Sequence, residues 1–111
     1  MGAFTSVTLV KSVPAPAGGD GLKMCMGTCV GPASYDAGGS VLGLSSIFGG
    51  KVYFVKANID NADYRIQWVP GTSYATTDDK LFVDNNAGTE SSGDLHTALA
   101  TVEWIAWGTD A

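Results

Sequence analysis

The stretch ALATVEWIAWG, residues 98–108, decides how this chain is read. Its alternation is that of a β-strand, in which successive side chains point to opposite faces. Val102 and Trp104 share one face, while Leu99, Glu103, Ile105 and Trp107 share the other. An antiparallel sheet with one wet side carries apolar residues on one face only. The second apolar face therefore needs a cover. One candidate is a loop of the same chain, residues 31–40 or 71–79. The other is a second molecule, which would make Phe4, Ile105 and Trp107 candidate interface residues. Glu103 would then lie at the rim or pair with a partner's cation.

The rest of the chain follows the same period of two. Val7, Leu9 and Val13 alternate with Thr8 and Ser12. PAPAGGDG (14–21) turns the chain. In the next strand Met24, Met26, Thr28 and Val30 share one face, and Lys23, Cys25, Gly27 and Cys29 form a small opposite face that a neighbour can approach closely. GPASYDAGGS (31–40) is a loop, and LGLSSIFGG (42–50) has room for one helical turn before its two glycines. KVYFVKANI (51–59) is rich in β-branched and aromatic residues, ADYRIQWVP (62–70) alternates cleanly, and KLFVD (80–84) is a short strand. About six strands at this spacing predict a small single-domain all-β fold over residues 1–111, a β-sandwich or β-barrel. The predicted core holds Val7, Leu9, Met24, Met26, Val52, Phe54, Ile66, Trp68, Val102 and Trp104. Strand 51–59 is a candidate for cover on both sides, because Tyr53, Val55, Ala57 and Ile59 are apolar as well.

Composition narrows the function classes. The chain has 111 residues, 45% of them hydrophobic and 15% charged, with a formal charge of −5 and only six Lys and Arg. No basic patch gathers those six, so nucleic acid is not an expected partner. No uncharged run reaches the ~18 apolar residues of a spanning helix, so no membrane is expected either. The start MGAFTSVTLVK lacks the basic and apolar regions of a secretory signal. Cys25 and Cys29 lie four residues apart on one strand, about 13 Å, beyond the ~7 Å that a disulfide spans. They are expected to be buried, reduced thiols, as in a reducing cytoplasm.

The search for chemistry returns little. His96 is the sole histidine, just ahead of the last strand, and reads as a solvated side chain. A catalytic triad needs a base beside a nucleophile, and no Gly-x-Ser-x-Gly elbow is present. The carboxylates Asp60, Asp63, Asp78, Asp79 and Asp94 fall in turns, where Asp serves backbone hydrogen bonds. DNNAGTE (84–90) offers oxygens from Asp84, Asn86 and Glu90, but Thr89 and Leu95 stand where a calcium loop wants Gly and Glu. No enzyme activity, cofactor or metal is expected. Of the aromatics, Tyr35 and Tyr74 lie in loops and are the ones expected to be exposed.

SVPAPAGGDGLK (12–23), GPASYDAGGSVLGLSSIFG (31–49) and DLHTALATVEWIAWG (94–108) together resemble short tailed-phage structural proteins encoded near the major capsid gene. The likeness is carried by Tyr35, Gly38, Gly39, Leu42 to Ile47, Leu99, Val102, Ala106 and Gly108, and does not extend through residues 59–80. It implies a compact β fold and a virion component, a capsid decoration or cement protein assembled in the host cytoplasm. Its implied partners are the major capsid protein and other copies of itself, with a homotrimer suited to a capsid threefold position. The alternative is a receptor- or glycan-binding module of a phage fibre or tail.

Overall fold

A computed structural model describes residues 2–14, 21–85 and 87–110. Most of the turn expected over 14–21 lies outside the described residues. The fold is all-β, with seven strands and two short 3-10 turns, Leu44–Ser46 and Thr72–Tyr74, among the described residues. The strands are β1 (Thr5–Val13), β2 (Lys23–Val30), β3 (Ser40–Val41), β4 (Val52–Ile59), β5 (Tyr64–Val69), β6 (Lys80–Asn85) and β7 (Val102–Gly108). They form two antiparallel sheets, ordered β1-β2-β7-β4 and β3-β6-β5. The last strand in sequence therefore sits in the middle of the larger sheet. The segment ahead of β1 ties the sheets together where the Phe4 amide donates to the Val41 carbonyl, 2.9 Å. No helix among the described residues is long and apolar enough to cross a membrane.

The core lies between the sheets. Cys25, Cys29, Val52, Val55, Ala57, Val102, Trp104 and Ala106 enter it from the larger sheet, and Leu81 and Val83 from β6. Leu42, Leu44 and Phe48, from the segment around the first 3-10 turn, close the space between them. Trp104 fits because its neighbour on β2 is Gly27. A Cβ at Gly27 would lie 2.6 Å from the Trp104 ring and 1.9 Å from the Thr8 carbonyl oxygen. The indole Nε1–H donates to the Thr28 carbonyl at 3.1 Å, so the buried ring leaves no donor unpaired.

The structure corrects several expectations. Val52, Val102 and Trp104 are buried as predicted, and Val7, Ile66 and Trp68 pack partly buried against the core. Leu9, Met26 and Phe54 instead stand exposed, and Met24 is half-buried on the outer side of β2. The inward face of β2 is the small one, with Cys25, Gly27 and Cys29 beneath Trp104. Both cysteines are free and buried, as expected. The segment 98–101 is not strand. The Leu99 amide donates to the Leu95 carbonyl in a single helical turn, which sends both leucines into the core. Leu99 thus leaves the face of Ile105 and Trp107.

Two β-bulges account for much of the rest. A register shift between Val52 and Phe54 puts Val52 opposite Gly108 but Phe54 opposite Trp107. A one-residue slip moves the following side chains to the other face. Phe54, Lys56 and Asn58 consequently point outward, and Val55 and Ala57 inward. β4 is therefore uncovered on its outer side. A second shift between Leu9 and Lys11 leaves Val10 unpaired in the ladder, 64% exposed.

Candidate functional site

The outer face of the larger sheet carries the side chains that the core does not use. Its middle strand, β7, presents Glu103, Ile105 and Trp107. β4 flanks them with Phe54, Lys56 and Asn58, and β2 with Met24, Met26 and Thr28. Val10 and Lys11 reach the same side from β1. Two features result, one toward each end of the face.

Toward the end where β7 finishes, aromatic rings gather. Phe54 packs on Trp107, with ring centroids 5.5 Å apart, and meets Trp68 edge-on at 5.9 Å. Next along the chain, Tyr53 meets Tyr74 at 5.2 Å. Tyr53, Phe54 and Tyr74 are each more than 40% exposed. Tyr74 comes from the 71–79 loop in a left-handed conformation, φ 61°, directly after Ser73 at φ 53°. Such consecutive values are costly for residues with a Cβ. Lys51 helps hold the loop, its Nζ donating to the Ser73 carbonyl at 3.0 Å. The loop thus touches only the margin of the face, and the 31–40 loop is engaged elsewhere. Tyr35 is buried, its amide on the Gly93 carbonyl and its hydroxyl donating to Glu90 and accepting from the Val83 amide. Burial pushes its phenol up to about 12.

Toward the other end, Val10, Met26 and Ile105 line an open groove of about 380 Å³. Gly27 and Trp104 contribute to its floor, and Lys56, Asn58 and Glu103 to its polar side. Asn58 donates its amide to a Glu103 carboxylate oxygen at 3.2 Å. Neither Lys11 nor Lys56 makes an ion pair among the described residues.

Of the three candidate interface residues, Ile105 and Trp107 lie together on this face, half-buried by their strand neighbours. Phe4 does not join them. It is 4% exposed and packs inside the core, because its amide is held on β3. Val10, Tyr53 and Phe54 were missed by alternation. The polar residues Lys56 and Asn58 share Phe54's parity on β4 and are the sequence signal that this side is the wet one.

The remaining chemical candidates stay apart. His96 is exposed, and its amide is held by Asp94 in a turn. Asp84 forms a two-bonded ion pair with Arg65, while Glu90 accepts from Tyr35 and Gly38. Asn86 lies outside the described residues. Among the described residues, no group of three or more His, Cys, Asp or Glu converges to hold a metal. One carboxyl is unusual. Asp79 is 1% exposed, its carboxyl oxygens find no hydrogen-bond partner on another described residue, and burial, with Asp78 adding to it and its own amide opposing, pushes it up to about 7. Compared with known proteins, the chain matches no family model, and no curated protein or solved structure matches it.

Proposed function

We propose that this chain is a non-catalytic structural module that works through protein–protein contact, and that its setting is the head of a tailed phage, where it decorates the capsid. The observation that supports this reading is the exposed Phe54 ring packed on Trp107 on the open sheet face, with Trp68 of β5 against Phe54 and the exposed Tyr53–Tyr74 pair next to it in the chain. Large rings that are partly desolvated and packed on one another are the usual anchors of a protein interface. The phage setting comes from the sequence resemblance. The major capsid protein is the proposed partner at the aromatic end.

The same rings raise a second reading, a glycan-binding module. Sugars stack on exposed ring faces. Here the rings tilt against each other at 47°, 51° and 74°, which makes an uneven ring-on-ring surface in place of the flat open platform on which a sugar face stacks. That geometry favours the protein contact. Mass spectrometry of purified virions should find the chain at a regular copy number per capsid. Phe54→Ala and Trp107→Ala should each lower its occupancy on the shell tenfold or more while the protein stays folded. Absence from virions, or full occupancy by both variants, would refute the reading. Saturable binding of oligosaccharides, lost in Tyr74→Ala, would favour the glycan module.

A further inference from the structure

The groove end of the outer face has an asymmetry that the aromatic end lacks. Lys11 and Lys56 against Glu103 give this face a formal charge of +1, whereas the whole chain carries −5, so the rest of the molecule carries −6. A second copy laid on it meets an apolar strip, Val10, Met26 and Ile105, flanked by an anion and by cations that have no ion pair among the described residues.

The placement of the charges is self-complementary. In the β4–β7 ladder Lys56 stands opposite Ile105, and Asn58 opposite Glu103. Lys56 and Glu103 are thus diagonal neighbours, roughly 7 Å apart in such a ladder. A two-fold axis that bisects the line between them carries each onto the other. A second copy laid on the face about this axis brings its Lys56 to this copy's Glu103, and the reverse, with the apolar strips in contact.

The edge of the sheet offers no equal route. β1 is long and exposed, but its two register shifts interrupt the row of free amides and carbonyls that another strand would need.

We propose that the groove end of the outer face pairs with the same surface of a second copy about a two-fold axis, Lys56 of each copy on Glu103 of the other. This rests on the reading of the face as a docking surface, and it sets two-fold pairing in place of the homotrimer expected to suit a capsid threefold position. Half of one sheet face is small for an interface, so pairing in free solution is weak.

The test is sedimentation of the purified chain from ~10 µM to ~1 mM, the range in which weak contacts of this kind populate. The wild type should pass from monomer to dimer mass. Lys56→Glu and Glu103→Lys should each raise the dimer dissociation constant tenfold or more, since each sets like charges against one another twice. An equimolar mixture of the two variants should restore a dimer, because both pairs are then opposite in sign. Thermal unfolding of each variant checks the fold, and Lys56→Gln with Glu103→Gln replace any reversal that fails to fold, each with a smaller loss. Monomer at every concentration, trimer mass, or a dimer indifferent to both substitutions would overturn the proposal. Virion occupancy of the monomeric variants separates the two readings. If they still decorate the shell, capsid docking stands without self-pairing.

Discussion

β7 carries two tryptophans three residues apart, and they have opposite fates. Trp104 is 2% exposed, lies over Gly27 and spends its donor on Thr28. Trp107 points the other way and packs on the exposed Phe54 ring. The first is held by backbone and by both sheets. The second is held by one sheet and opens to water on its far side. The same strand thus builds a core with one face and keeps a large apolar surface in solvent with the other. Scattered exposed apolar residues are ordinary, but exposed rings packed on one another are the kind of surface that the proposed contact would use.

The comparison breaks first at Trp104. Trp104→Ala should cost about 3–5 kcal/mol of stability, as deletions of buried large rings do. Chemical denaturation reads this directly, and a loss below about 1 kcal/mol would mean that the inner face is not the tightly packed one. Next in size is Gly27→Ala. Its new methyl would meet the Thr8 main chain, which cannot swing aside as a side chain can. About 2–3 kcal/mol is expected from overpacking, with β1 detaching from β2 as the visible consequence in hydrogen exchange.

A smaller effect tests how closed the interior is. The Asp79 carboxyl has its folded-state value raised to about 7, against an ordinary ~3.9 in the unfolded chain. The folded state therefore holds its proton more tightly than the unfolded state. This group's contribution is fully present below about pH 4, declines as pH rises, and is gone above about pH 7. Asp79→Asn should flatten that slope and raise the melting temperature at pH 8 relative to wild type, with little difference at pH 4. Parallel pH profiles for both proteins would show that Asp79 is solvated in solution. Smallest in energy is the thiol pair. Burial pushes Cys29 up to about 12 and raises Cys25 as well, so alkylation of the native protein at pH 8 should be slow and should become fast on unfolding.

How far the sequence could be read depends on the strand. On β7 it read correctly, because Val102, Trp104 and Ala106 alternate with Glu103 without interruption through to Gly108. The bulges defeat such reading elsewhere. Nothing in KVYFVKANI marks an extra residue between Val52 and Phe54, and one extra residue reverses the faces beyond it. Hydrophobicity also misled on β2, where two methionines look more like core than two cysteines and a glycine. The choice is made by Trp104 on the neighbouring strand, which needs the small face beneath it. Phe4 was lost for a related reason. Its burial depends on a hydrogen bond to Val41, 37 residues on, and a local pattern holds no trace of that contact. Ile105 and Trp107 were legible as a candidate site because they share a strand. Their companion Phe54 was missed because the bulge breaks its parity with Val52, although Lys56 and Asn58 beyond it mark its side as the wet one.

The central claim is that the two faces of one sheet have separate duties, and Trp104→Ala beside Trp107→Ala tests it most directly. Both variants are measured for thermal stability and for occupancy on the capsid. The account predicts that Trp104→Ala lowers the melting temperature by about 15 °C or more, following its loss of stability. Trp107→Ala should stay within about 5 °C of wild type, as befits a half-buried ring, yet lose occupancy tenfold or more. A Trp107→Ala protein that unfolds as readily as Trp104→Ala, or one that is stable and still decorates the shell at full occupancy, would contradict it.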